Sequence, residues 1–165
     1  MVDTQTQQTA SSDPDIADAS KVLAANASLV RTFVEELWNR GNLAAVTELC
    51  HHTYELHDPS LPSWLVLGPA GLKRLASTMK TAFPNLHVTI DDQFAQGDRV
   101  VTRVTQTGTH TGNFMGLAAT GRQICVSAVS IERIANGKIV ESWGVSDQLG
   151  LRQQLGILPG PPTTQ

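Results

Sequence analysis

The feature that most constrains the fold of this chain is a pair of strand-like runs on either side of Asn136-Gly137. Asn-Gly between such runs is the strongest local signal for a tight hairpin, because both residues tolerate positive φ. The first run, residues 122–134, is rich in β-branched and small residues. The second run alternates, and strand parity predicts one shared face for five of its side chains: Ile139, Glu141, Trp143, Val145 and Asp147. Asp147 is thus an acid in line with apolar side chains at the end of a strand, and we expect a catalytic site there.

Composition limits the classes of protein that this chain can represent. Its 165 residues, 41% hydrophobic and 16% charged, suffice for one domain with a sizeable core. The net charge is −3 without a Lys/Arg cluster, so we expect neither nucleic acid nor an anionic membrane as a partner. Cys50 and Cys125 lack metal-binding spacing and follow no signal peptide, which indicates free thiols. We therefore expect a soluble, cytoplasmic protein.

Three parts of the chain differ in composition. Residues 1–14 are rich in Thr, Gln and Ser and hold few large apolar side chains, so we expect a disordered tail. Residues 15–156 carry the apolar periodicities and form the predicted single domain. Residues 157–165 form a Pro-rich C-terminal tail.

Apolar residues recur at helical spacing in three segments of the N-terminal half: 15–40, 42–49 and 69–83. Gly41 supplies a stop for the first helix and Asn42 a cap for the second. Pro69 suits the first turn of the third helix, and Pro84 ends it.

Strands dominate the rest of the chain. A brief strand is predicted at 54–58, and longer ones at 86–95 and 99–111, before the hairpin. The connection 59–68 is apolar for a loop, so we expect it to cover an apolar surface. Helices followed by a meander of strands predict an α+β fold, in which a cone-shaped, curved antiparallel sheet wraps around three N-terminal helices. The concave side of such a sheet is a natural small-molecule pocket.

Several short motifs between about residue 25 and residue 156 occur together in one known family. The clearest are His57-Asp58-Pro59, Gly97-Asp98-Arg99-Val100-Val101, Gly108-Thr109-His110-Thr111-Gly112, Asn136-Gly137-Lys138-Ile139-Val140-Glu141-x-Trp143 and Asp147-Gln148-Leu149-Gly150-Leu151. Together they resemble the SnoaL-like polyketide cyclases, or ester cyclases, of the nuclear transport factor 2-like superfamily. The resemblance implies the same cone-shaped fold.

The resemblance also implies an activity: cofactor-independent, aldol-type closure of a ring in a small apolar, polyketide-like metabolite. An aspartate at the end of the last strand then acts as general acid/base, and Asp147 matches it by position. The family commonly buries its outer sheet face in a partner, so we expect a homodimer or a higher homo-oligomer. The fold also hosts isomerases, hydrolases and non-catalytic binding or dimerisation modules, which stay open as alternatives.

Each candidate catalytic residue has a structural alternative. Asp147 could cap the helix that follows it; a catalytic carboxylate would lie in an apolar pocket with a raised pKa, whereas a cap would bind backbone amides. His57 and Asp58 are strand neighbours and must point to opposite faces, so only one can line the pocket. We predict that His57 does, and a hydrogen-bonded structural histidine is the alternative.

The predicted substrate-binding residues are Trp38, Trp64, Trp143, Val145 and His110. Trp143 and Val145 follow from their parity with Asp147, and His110 has a loop hydrogen bond as its alternative. We predict no metal site, because no cluster shows zinc-ligand spacing, and no nucleotide cofactor, because no phosphate-binding glycine motif is present.

Overall fold

The computed structural model of the chain describes residues 14–159. Residues 1–13 of the predicted N-terminal tail and residues 160–165 of the predicted C-terminal tail lie outside this part. In chain order, the elements are α1 (Pro14–Phe33), a π-helical turn (Val34–Asn39), α2 (Ala44–Leu49), β1 (Cys50–His57), α3 (Ser63–Val66), α4 (Gly68–Ala82), β2 (His87–Gln96), β3 (Arg99–Thr109), β4 (Gln123–Ala135), β5 (Lys138–Ser146) and α5 (Gln148–Leu155).

The helices follow the sequence signals closely. The π-helical turn continues α1 until Gly41, which adopts a φ of 71° that favours glycine. The Oδ1 atom of Asn42 accepts a hydrogen bond from the Ala44 amide at 3.1 Å, at the start of α2. One addition was not expected: the apolar connection contains the short helix α3, in which Leu65 is fully buried. None of the helices in the described part is long and apolar enough to cross a membrane.

The five strands form one sheet in the order β1-β5-β4-β3-β2. The pairs β2–β3, β3–β4 and β4–β5 are antiparallel, as predicted, but β1 pairs with β5 in parallel. The prediction of a wholly antiparallel sheet is therefore wrong at this edge. The reason is topological: α3 and α4 carry the chain to the far edge, and the meander then returns β5 beside β1 in the same direction.

A bulge in β5 decides which side chains face inward. Arg133 pairs with Glu141 and Ile134 pairs with Ile139, so β5 holds one extra residue, Val140, between the two pairs. Because side chains alternate along a strand, this insertion reverses the parity of β5. The expected single face from Ile139 to Asp147 is thus divided at Val140.

The α+β class is confirmed, with the helices against the inner face of a curved sheet. One apolar cluster joins Phe33, Leu37 and Leu72 of the helices to Tyr54 and Ile139 of the sheet. A second lies towards the C-terminal helix and contains Phe83, Leu86, Ile124, Leu151 and Leu155. Both cysteines are free thiols, as expected. The inner face of the sheet between these clusters is left open as a cavity.

Candidate active site in the concave face of the sheet

The cavity has a volume of about 370 Å³ and lies between the helices and the inner face of the sheet. Its helical wall is apolar and consists of Phe33, Val34, Trp38, Leu72, Leu75 and Met79. Its sheet wall towards β2 and β3 holds Val88 and Val104 and one polar residue, Gln106. A cavity of this size and character suits a small, largely apolar organic molecule.

Polar side chains concentrate on one side of the cavity, along the seam between β4 and β5. Ser130 and Glu132 of β4 and Ser142 and Ser146 of β5 belong to this seam, which we call the polar seam. The strand ladder pairs Glu132 directly with Ser142. The cavity therefore has an apolar side and a hydrogen-bonding side.

Glu132 is the buried acid of the polar seam, with 4% of its surface exposed. Burial raises the pKa of Glu132 to about 7, although Ser130 and the backbone amide of Glu132 itself partly oppose the rise. Its Oε2 atom has no hydrogen-bond partner within residues 14–159. A carboxyl group that titrates near neutral pH and faces a cavity is suited to general acid/base catalysis.

Tyr54 and Ser142 surround this acid on the β1 and β5 side. Burial raises the pKa of Tyr54, and the nearby Glu132 charge raises it further, so the phenol stays protonated at neutral pH. The two hydroxyl groups are near enough for Ser142 to oppose that rise, but their contact falls short of hydrogen-bond geometry. The Ser142 hydroxyl is consequently unpartnered in the described part of the chain.

Glu132 is not among the residues predicted from the sequence, although a signal for it is present there. In the first arm of the hairpin, alternate residues form an apolar or small face that Glu132 alone interrupts with a charge: Ile124, Val126, Ala128, Ser130, Glu132 and Ile134. Ile124, Val126 and Ile134 are buried, which confirms that this face points inward. A single acid on an inward-facing strand is a candidate functional group.

Asp147 does not occupy the pocket position expected for it. Its side chain is exposed and is absent from the cavity lining. Asp147 is the N-cap of α5, and its Oδ1 atom accepts a hydrogen bond from the Gly150 amide at 2.8 Å. A Cβ atom at Gly150 would collide with the Asp147 carboxylate, so the cap fits closely around a glycine. This geometry matches the capping alternative and gives no support to a role in proton transfer.

His57 and Asp58 do point to opposite faces, but in the reverse of the expected sense. Tyr54, Leu56 and Asp58 alternate on the inner face and line the cavity, whereas His57 is exposed on the outer face. The Oδ1 atom of Asp58 accepts hydrogen bonds from the Ser60 amide and hydroxyl, at 2.8 and 2.5 Å. The pocket neighbour of this pair is therefore Asp58, which lies at the mouth of the cavity.

His57 belongs to an ion-pair network on the outer face. Its Nε2 atom lies 2.8 Å from Glu141 Oε1, and Arg133 Nε donates to Glu141 Oε2 at 2.9 Å. The hydrogen bonds from Arg133 and then from His57 lower the pKa of Glu141. Glu55 completes a group of three potential metal ligands whose nearest atoms lie within 4.8 Å of one another. Because Arg133 and His57 already satisfy Glu141, we interpret this group as a salt-bridge network.

The predicted substrate-binding aromatic residues are divided between the two faces. Trp38 lines the cavity, as expected. Trp143 and Val145 border it, but they pair across the ladder with Ile131 and Val129, which places their side chains on the outer face. The bulge at Val140 is the reason for this correction. The Trp143 ring stacks on His57, with 5.4 Å between ring centroids.

His110, also predicted to bind substrate, does not line the cavity. His110 is fully buried and is absent from the lining; its Nδ1 atom lies 3.0 Å from Thr120 Oγ1, and its ring packs against Phe83. This is the loop hydrogen bond given above as the alternative. The side chain of Trp64 lies outside the part of the structure that is described.

Known proteins share both the sequence pattern and the fold. The family model for SnoaL-like polyketide cyclases matches residues 28–155. Aklanonic acid methyl ester cyclase DnrD of Streptomyces peucetius is 31% identical over 134 residues, which cover 78% of this chain and 88% of that protein. DauD, an aklanonic acid methyl ester cyclase of Streptomyces sp. strain C5, is also 31% identical, with 80% of its length covered.

Solved structures agree with these sequence matches. The structure of AclR from Streptomyces galilaeus, which is described as a putative hydroxylase, superposes with a TM-score of 0.76 and 30% identity, covering 86% of this chain and 87% of AclR. TsrD from Streptomyces laurentii superposes with a TM-score of 0.72 and 28% identity, covering 82% and 97%. The match spans the helices, the sheet and the cavity between them, and the chain belongs to the SnoaL-like polyketide cyclase family.

Proposed function

We propose that this chain is a cofactor-independent polyketide or ester cyclase that closes a ring in a small apolar carbonyl substrate, with Glu132 as its general acid/base. The observation that carries the proposal is the buried Glu132 carboxyl group, which faces a largely apolar cavity and has a pKa raised to about 7. Membership of a cyclase family supports ring closure as the reaction. Two curated relatives that are named methyl ester cyclases support an ester substrate.

The proposed reaction is an intramolecular aldol addition. Glu132 removes a proton from the carbon next to a carbonyl group, and the C–H bonding electrons become an enolate. The enolate carbon then forms a C–C bond with a second carbonyl carbon of the same molecule, whose oxygen becomes an alkoxide. Protonated Glu132 returns the proton to this oxygen, so the product has the same mass as the substrate. A group that acts first as base and then as acid works best with a pKa near the working pH.

The walls of the cavity support the same reaction. The apolar helical wall would hold a flat ring system and exclude water from the enolate, while the polar seam would face its oxygen atoms. Holding the two reacting carbons of one molecule in contact removes the rotational freedom that keeps them apart in the free substrate. Asp58, Gln148 and Arg152 make the mouth of the cavity polar, where the solvated end of a substrate would lie.

The direct test is to incubate the purified protein with aklanonic acid methyl ester, the ester in the names of the two curated relatives. In D₂O we expect an isomeric product with a changed retention time and absorbance, and with deuterium from the solvent on its new hydroxyl or on exchangeable carbon. Metal chelation should not change the rate. Tight binding of this ester without any isomer or carbon-bound deuterium would contradict catalysis and favour the non-catalytic binding module.

We also propose a homodimer, formed through the outer face of the sheet. This face carries the apolar cross-strand pair Val129–Val145, with 43% and 67% of the two residues exposed. Exposed apolar pairs of this kind are common where sheets meet a partner. Light scattering should give twice the chain mass of 17.7 kDa, and Val145→Lys should shift the equilibrium to the monomer. A monomer in the unchanged protein at micromolar concentration would contradict this proposal.

A further inference from the structure

Two buried polar atoms belong to residues of the polar seam, and neither has a hydrogen-bond partner within residues 14–159: Glu132 Oε2 and Ser142 Oγ. Their residues are direct cross-strand partners, and each is only 4% exposed. Side chains at such positions have Cβ atoms about 4.5–5.5 Å apart. Buried polar groups are nearly always hydrogen-bonded, so a pair of orphaned atoms that lines a cavity indicates a missing ligand.

The two atoms differ in what they offer that ligand. Ionised Glu132 can only accept a proton or a hydrogen bond, whereas the Ser142 hydroxyl can donate one. A carbonyl group with an adjacent C–H bond presents the complementary pair, since its oxygen accepts a hydrogen bond and its α-carbon yields a proton. Only the carbonyl carbon lies between this oxygen and the α-carbon, so the side chains of one cross-strand pair, Glu132 and Ser142, can reach both.

We propose that Ser142 is a catalytic residue. It donates a hydrogen bond to the oxygen of the carbonyl group, while Glu132 removes a proton from the carbon next to that group. The inference rests on the proposed function and names the oxygen site of the same reaction. Proton removal moves one negative charge from Glu132 to the enolate oxygen inside a low-dielectric cavity. A donor placed at the developing charge stabilises the transition state more than the substrate, which is how a hydrogen bond accelerates a reaction.

The surroundings of Ser142 favour this role over a purely structural one. A structural serine in a strand would bond to a neighbouring carbonyl or side chain, but in the described residues Ser142 Oγ makes no such hydrogen bond, and its nearest polar neighbour is the Tyr54 hydroxyl beside it. Gly144, two residues further along the same face, has no side chain that could reach over the site. Ser142 and Gly144 both line the cavity.

The first experiment measures binding and needs no turnover. 2-Naphthol is a flat aromatic enol analogue whose absorbance and fluorescence report on its hydroxyl group. At pH 6, where Glu132 is mostly protonated, we expect the unchanged protein to bind it and Ser142→Ala to bind it about 10-fold more weakly. Ser142→Thr keeps the hydroxyl and should bind within a few-fold of the unchanged protein. Ser127→Ala, an exposed serine on the outer face of β4, is the matched control and should have no effect.

The second experiment measures turnover of the ester that the function test identifies. Ser142→Ala should lower kcat by about 100-fold, the usual effect of losing one oxyanion donor, while the pH at which activity is half-maximal stays near 7. Failure of the unchanged protein to bind 2-naphthol, or equal binding by Ser142→Ala, overturns the proposal even if the protein is a cyclase. If 2-naphthol binding depends on Ser142 but the protein converts no ester, the hydrogen-bond site is supported and the proposed function is refuted.

Discussion

Glu132→Gln is expected to lower the turnover of the cyclised ester by about 10²–10⁴-fold, the usual contribution of a general acid/base. Glutamine keeps the size of the side chain and its place opposite Ser142, but it cannot accept the α-proton. In the unchanged protein, kcat/KM should rise with pH and level off above about 7, because only the ionised carboxyl group acts as a base. Glu132→Gln should remove this rise along with the activity. Steady-state assays between pH 5 and 9 measure both effects.

Asp147→Asn and Asp58→Asn are the matched controls, since each also replaces one carboxylate by its amide. Asparagine caps helices about as well as aspartate, and Asp147 is exposed, so Asp147→Asn should keep both turnover and stability. Asp58→Asn alters the mouth of the cavity and should change KM more than kcat. If Asp147→Asn lost activity while Glu132→Gln retained it, Asp147 and not Glu132 would be the general acid/base, as the family resemblance implies.

The hairpin at Asn136-Gly137 was predicted correctly from the sequence. β4 ends at Ala135 and β5 begins at Lys138, and Asn136 and Gly137 have φ values of 51° and 68°. Local chemistry decides such a turn, because few residues tolerate two successive positive φ values. The inward face of β4 follows from the same register, so the position of Glu132 could also have been derived from sequence.

The bulge at Val140 could not have been derived in the same way. Its neighbours are ordinary strand residues, and the extra residue is accommodated because Ile139 packs into the core against Cys50 and Tyr54 while Glu141 reaches Arg133 on the other face. These are contacts between distant segments of the chain. One inserted residue turns every later side chain to the opposite face, which is why Trp143 and Val145 border the cavity from the outer face and do not share the inward face of Ile139.

The second large effect concerns stability, because Glu132 also couples folding to pH. Its pKa is raised from 4.5 to about 7 in the folded protein, so the folded state binds this proton more tightly than the unfolded state. The free energy of unfolding should therefore fall as pH rises from about 4.5 to about 7, and stay low above that. A shift of this size corresponds to about 3 kcal/mol, at 1.36 kcal/mol for each pKa unit.

Glutamine at position 132 does not titrate. The difference in unfolding free energy between Glu132→Gln and the unchanged protein should therefore shift in favour of the variant by about 3 kcal/mol as the pH rises from 4 to 8. Urea unfolding at several pH values measures this difference, and other titrating groups cancel in the comparison. Glu141→Gln is the control of opposite sign. Arg133 lowers the pKa of Glu141, so this carboxylate stabilises the fold above its ordinary pKa, and its removal should cost stability at pH 8 and cost less as the pH falls below that pKa. If Glu132→Gln tracked the unchanged protein at every pH, the carboxyl group would not be held in a desolvated cavity, and the physical basis for its role as an acid/base would be lost.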